Sequence, residues 1–128
     1  MSKVKDHDAR LGDIRIKRAH EPPSPDDGFR VLVDRIWPRG VSKKDLALDD
    51  WCKDLAPSTE LRHWFDHDAD RWDEFKKRYA KELDARPEAF DALCDHVRAG
   101  RVTLVFAAKD VEHNNAVALK ELITERLA

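Results

Sequence analysis

The apolar residues of this chain recur first at every second position, then at helical spacing, and finally as one unbroken run. Ile14-Arg15-Ile16-Lys17-Arg18 alternates apolar with basic, which predicts a half-buried strand. Phe29 to Val33 predicts a second strand, and its near-continuous apolar centre suits burial on both faces. Between them, Glu21 through Gly28 contains Pro22, Pro23 and Pro25 and reads as a loop, because proline lacks a ladder donor and breaks a helix. Residues 1 to about 12 are polar and aperiodic, and are expected to form a flexible arm ahead of a single domain over 13–128.

A helical half follows. Ser42 can cap a helix with Asp45 at its third position, on which Leu48, Trp51, Cys52 and Leu55 would share a face. Pro57 ends that segment, and Ser58 can cap a short helix carrying Leu61, Trp64 and Phe65. Asp68 can cap the next, with Trp72, Phe75, Tyr79 and Leu83 as its stripe. Pro87 suits the first turn of another, with Phe90, Leu93, Cys94 and Val97 inward and Gly100 closing it. Val102 to Ala107 predicts a third strand. Asp110 can cap a final helix whose Ala116, Leu119, Leu122 and Ile123 face the core.

This order predicts an α/β fold: a small, mainly parallel sheet of about three strands flanked by helices. The long helical connection makes the second and third strands parallel neighbours with a right-handed crossover. Only about ten residues join the first two strands, which leaves the direction of the first one open.

Composition narrows the class. With 41% hydrophobic and 39% charged residues in 128, the chain is globular rather than disordered. No apolar run nears the ~20 residues of a membrane span, and the N-terminus has no signal-peptide core, so a cytoplasmic location without membrane partners is expected. Cys52 and Cys94 are too few for a disulfide framework or a four-cysteine zinc site, and read as packed thiols on apolar faces. The net charge of −2 argues against general affinity for nucleic acid. Its distribution says more. Arg30 to Lys44 holds five basic residues against Asp34 alone, whereas Asp66 to Glu74 holds five acids against Arg71. A basic segment in a slightly acidic protein suggests one bound anion; ordinary surface charge is the plainer account.

Two apolar strands empty into polar clusters at their carboxyl ends, where open α/β folds hold ligands. Asp34-Arg35 is followed by Trp37-Pro38-Arg39-Gly40. Arg35 and Arg39 can grip a phosphate or carboxylate by paired hydrogen bonds, Asp34 can serve as acid or base, and Trp37 offers a flat face. The alternative is a structural Asp–Arg pair with Trp37 in the core. Lys109-Asp110 leads to His113-Asn114-Asn115 at the start of a helix, where free backbone amides favour an anion and His113 can move a proton. Plain capping by Asp110 would also account for this turn. His63 and His67 have helical metal-ligand spacing but no third ligand nearby. No Walker loop, G-x-G-x-x-G or G-x-S-x-G is present, and the four glycines are scattered.

Lys17-Arg18, Pro22-Pro23-Ser24-Pro25-Asp26-Asp27-Gly28, Val33 through Gly40, Asp54-Leu55-Ala56-Pro57-Ser58 and Ala107 through Ala116 together resemble the YeaO-like family, a bacterial family of unknown function. The resemblance covers nearly the whole chain from Ile14. It implies an α/β, Rossmann-like fold. The wider superfamily often has Cys-His-Arg where this chain has His113-Asn114-Asn115, so the resemblance carries no cysteine chemistry over. A porphyrin methyltransferase label borne by some relatives finds no glycine loop here to support it.

The expectation is a protein that binds, or acts on, a small anionic metabolite such as a nucleotide. Arg18, Arg35 and Arg39 would hold the anion, with Lys109, Asp110 and Trp37 around it, Asp34 and His113 as an acid/base pair, and Asn114 and Asn115 orienting the ligand. No metal is expected and no cofactor is assigned. The alternatives are a protein- or nucleic-acid-binding module using Arg30 to Lys44, and a metal-dependent hydrolase using His67, His113 and Asp110.

Overall fold

Four parallel strands form one sheet in the order β1-β4-β2-β3: β1 (Ile14–Arg18), β2 (Phe29–Leu32), β3 (Asp50–Trp51) and β4 (Val102–Phe106). The computed structural model describes residues 13–128, so the expected arm over 1–12 lies outside the described residues. Five α-helices accompany the strands: α1 (Lys43–Leu46), α2 (Thr59–Phe65), α3 (Trp72–Asp84), α4 (Pro87–Ala99) and α5 (Asn115–Leu127).

β4 sits between β1 and β2, in register Ile14↔Val102 on one side and Phe29↔Val102 on the other. The expected parallel pairing of the second strand with the run at Val102 is therefore present, and the direction of β1 is now settled as parallel. Five strand residues at ~3.3 Å each span about 16 Å, and the ten-residue link 19–28 reaches about twice that, enough to return without a helix.

Strand alternation sorts the core into two unequal layers. Val31, Val33, Val102, Leu104 and Phe106 face the larger one, where Leu61, Phe65, Phe75, Tyr79, Leu83, Phe90, Leu93, Val97, Leu119 and Ile123 arrive from α2 to α5. Leu32 and Val105 point the other way, into a small cluster with Ala19 and Leu46 that Trp37, Val41, Leu48 and Trp51 cover. Burial of β2 on both faces follows from this second layer.

The second layer also overturns one expectation. Leu48, Trp51, Cys52 and Leu55 do not share a helix: α1 stops at Leu46, Ala47 turns left-handed at φ 48°, and Asp50–Trp51 becomes β3. The backbone there serves the edge of β2 instead, with Asp49 N–H donating to Arg30 O at 2.8 Å and Cys52 N–H to Leu32 O at 3.0 Å. An otherwise unpaired strand edge outweighs a helical spacing that only four residues supported.

Other local signals behave as read. Ser42 and Ser58 accept from Asp45 N–H and Leu61 N–H, each at 3.0 Å, and Pro87 opens α4. Asp68 caps a single turn, Ala69–Arg71, that runs into α3. Among the described residues, no helix is long and apolar enough to cross a membrane.

Candidate functional site

All strands being parallel, the loops after β2 and β4 leave the same edge of the sheet from neighbouring strands. Asp34, directly after β2, ties them together. Its Oδ2 accepts from Ala107 N–H at 2.9 Å, its Oδ1 from Asn115 Nδ2 at 3.1 Å, and its carbonyl from Trp51 Nε1 at 2.7 Å. Asn115 Nδ2 also donates to Val33 O at 2.9 Å, so one amide fastens α5 to the end of β2. Burial raises the Asp34 carboxyl above its ordinary range, against the opposing pull of Asn115, Ala107 N–H and the Arg62 charge.

The joined loops and α2 enclose a cleft of about 830 Å³. Asp34, Arg35, Trp37, Arg39, Lys109, Asp110, His113, Asn114 and Asn115 all line it, so two segments some seventy positions apart in the chain share one cavity. Of the residues proposed from sequence, Arg18 alone is not in the lining. Its Nε donates to Ala108 O at 3.1 Å and pins the loop after β4 from outside.

The side chains within the cleft differ in how far they are committed. Trp37 donates from Nε1 to Val41 O at 2.6 Å and meets Trp51 edge-on at 5.3 Å, so most of it packs in the smaller core layer while part borders the cleft. Asn114, not Asp110, caps α5: its Oδ1 accepts from Val117 N–H at 2.9 Å and its Nδ2 donates to Asp110 O at 2.8 Å. The helix begins four residues later than a cap at Asp110 requires. Asp110 instead folds the preceding turn, accepting from Glu112 N–H at 2.9 Å and His113 N–H at 3.0 Å, and those two amides hold its carboxyl below the usual value. Its Oδ2 also meets His113 Nδ1 at 3.1 Å, and Trp72 lies edge-on to that ring at 5.3 Å. His113 is thus oriented by Asp110, with no hydrogen bond to Nε2 among the described residues, while Asp34 bonds to Ala107 and Asn115.

Arg35 and Arg62 stand apart. The Nε atoms of both are buried and have no hydrogen-bond partner among the described residues. A buried, unsatisfied donor is costly, and here it is a charged one. Arg62 was not legible from sequence. It lies beside Leu61 on α2, and only the packing of that helix brings it to the cleft; Ser58 at its start is held by Glu82 of α3 through bonds of 2.8 and 2.6 Å. His63 and His67 also reach the lining, but not as a helical pair. α2 ends at Phe65, and both Asp66 and His67 lie in the left-handed region at φ 46° and 54°. Among the described residues, no group of three or more His, Cys, Asp or Glu side chains is placed to hold a metal ion.

Cys52 and Cys94 are free thiols. Burial is the main reason both sit above the ordinary thiol range, which suits packing rather than nucleophilic chemistry.

Comparison with known proteins agrees with the resemblance. An uncharacterized protein of Mycobacterium tuberculosis is 44% identical over 113 residues, covering 88% of this chain and 95% of its own length. The uncharacterized protein YeaO of Escherichia coli is 40% identical over 108 residues, covering 84% of this chain and 94% of its own. No solved structure matches the chain. The profile of a family described as the inactive DUF488-N3 subclade matches residues 13–128, and on these grounds the chain belongs to that YeaO-like family.

Proposed function

We propose that this chain is a cytoplasmic protein that binds a small anionic metabolite, a phosphorylated compound in the first instance, in the cleft at the carboxyl edge of the sheet. One observation carries the reading: two guanidinium groups from different elements, Arg35 and Arg62, line the same cavity with buried Nε–H donors that no described residue satisfies. Both Nε atoms are closed to solvent, so a bound oxyanion would meet the terminal nitrogens of the two guanidinium groups, which make no hydrogen bond among the described residues; guanidinium groups suit phosphate by geometry as well as charge. The lining carries four cations (Arg35, Arg39, Arg62, Lys109) against three carboxyls (Asp34, Asp66, Asp110). Burial disfavours ionisation of Asp34, which adds to the positive bias. The family's description as inactive fits binding better than turnover. The oriented His113 would then act as a ligand contact.

A thermal-shift titration with inorganic phosphate, sugar phosphates and nucleotides tests this. Ligand at one hundred times its Kd adds about 2.7 kcal/mol of stability, a rise of several degrees in Tm. Arg35→Ala and Arg62→Ala are each expected to abolish that rise while costing the free protein no more than about 0.5 kcal/mol, since each removes an unsatisfied buried donor. A flat response to every anion, unaltered by Arg35→Ala, would overturn the reading.

A further inference from the structure

The floor of the cleft is unlike its cationic walls. Phe65 from α2 and Phe75 from α3 reach it, joined by Pro57, Ala107 and Ala108. The two phenyl rings lie 4.5 Å apart, tilted by 32°, and are 6% and 2% exposed, so each shows the cleft only a ring edge, and Pro57, Ala107 and Ala108 supply the rest of the apolar floor. At the mouth, Ile36 also lines the cleft and is 62% exposed, one of two large hydrophobic side chains left in solvent among the described residues. Apolar side chains thus line the cleft both at its buried floor and at its exposed rim.

A cavity of about 830 Å³ lies within the range of roughly 300–1,000 Å³ typical of sites for drug-sized molecules, and is much larger than a bare phosphate needs. Water against such walls finds few partners, so a ligand group that displaces it must itself be apolar to gain by doing so. Two guanidinium groups also suit a dianion better than a single carboxylate.

We propose that the ligand is a phosphate monoester with a flat, apolar body. Its phosphate meets Arg35 and Arg62, and its body lies on the apolar floor formed by Pro57, Ala107, Ala108 and the ring edges of Phe65 and Phe75, and extends toward Ile36. A phosphate ester of a bare sugar fills the same cationic end and leaves the floor wet. This rests on the anion-binding reading above and adds the chemical class of the remainder of the ligand.

Isothermal titration calorimetry with four probes separates the two claims: inorganic phosphate, ribose 5-phosphate, phenyl phosphate and phenol. The expected result is phenyl phosphate binding at least tenfold more tightly than ribose 5-phosphate, about 1.4 kcal/mol. That preference should fall at least threefold in Ile36→Ser, with phosphate affinity retained. Ile36 is 62% exposed, so its variant is expected to fold. Equal affinity for the two esters, with both lost in Arg35→Ala, would overturn the apolar-body proposal and leave anion binding standing. Phenol binding as tightly as phenyl phosphate, or no binding by any probe, would overturn both.

Discussion

Two Asp/Arg sets bracket the same strand, Asp27 with Arg30 at the start of β2 and Asp34 with Arg35 just past its end. At the first, every partner is present. Asp27 and Arg30 are 2% and 4% exposed and meet at 2.6 Å; Lys17 joins at 3.1 Å, and Arg30 Nη2 reaches Leu46 O at 2.7 Å. Asp27 also accepts from Ser24 N–H at 2.9 Å, and its carbonyl accepts from the Thr103 hydroxyl at 2.7 Å. At the second, Asp34 has hydrogen bonds but no cation within salt-bridge distance among the described residues, and Arg35 Nε has nothing. Identical residue types in one sheet thus do opposite work. The satisfied set holds the Pro-rich return loop against the sheet, and the unsatisfied set lines the cleft.

The contrast is most exposed to test in stability. Asp27→Ala strands a buried arginine, and a loss of about 3–5 kcal/mol is expected in urea unfolding, or no folded protein at all. Arg35→Ala should change the same measurement by no more than about 0.5 kcal/mol in the destabilising direction. Comparable losses in both would dissolve the distinction. Gly28, next to Asp27, should be nearly as intolerant: it sits at φ 67°, and a Cβ there would collide with the carbonyl of Arg101. A smaller effect is expected at the other set. Asn115→Ala frees Val33 O and one oxygen of Asp34 from their shared donor, and should cost about 1–3 kcal/mol while also weakening phosphate binding, because the two loops lose their common tie.

The subtlest contrast is in pH dependence. At Asp27, burial pushes the carboxyl up, but hydrogen bonds from Ser24, Lys17 and Arg30 outweigh it and leave it below the ordinary 3.8. Its stabilisation is therefore present above that value and lost as pH falls through the depressed native one. Asp34 is raised above 3.8, so its contribution is complete below that value and lost as pH rises through the native one. Measured against the parent from acid to neutral pH, the deficit of Asp27→Asn should grow and that of Asp34→Asn should shrink. Parallel curves would show that the two carboxyls share one environment.

Much of the frame was legible because it rests on local rules. The alternation at Ile14–Arg18, the solid run at Val102, Pro87 at a first turn and serines ahead of amphipathic helices all appear where their chemistry places them. Two misreadings share one cause, which is competition between partners that sequence spacing cannot rank. Trp51 has helical spacing to Leu55 but belongs to an edge strand that β2 requires. Asp110 and Asn114 are both good caps, and the helix takes the one whose amide also reaches back to the Asp110 carbonyl. The weak metal signal of His63 and His67, already without a third ligand, loses its helical geometry too, because Asp66 and His67 turn left-handed.

The site was legible only by halves. Asp34, Arg35, His113 and their neighbours announced themselves as polar clusters behind apolar strands, and local sequence fully determines that each lies at a strand's carboxyl end. Their meeting was decided by topology: β2 and β4 are parallel and adjacent, and Asn115 and Ala107 close on Asp34. Arg62, Phe65 and Phe75 entered by helix packing alone. Amphipathic spacing says which residues of a helix face inward, whereas the cavity they face depends on how α2 and α3 lock together through Ser58 and Glu82. Sequence determines the elements and their buried faces because those obey short-range periodicity; the cleft is a property of contacts between elements, and only the tertiary structure could bring a second arginine to the same cavity.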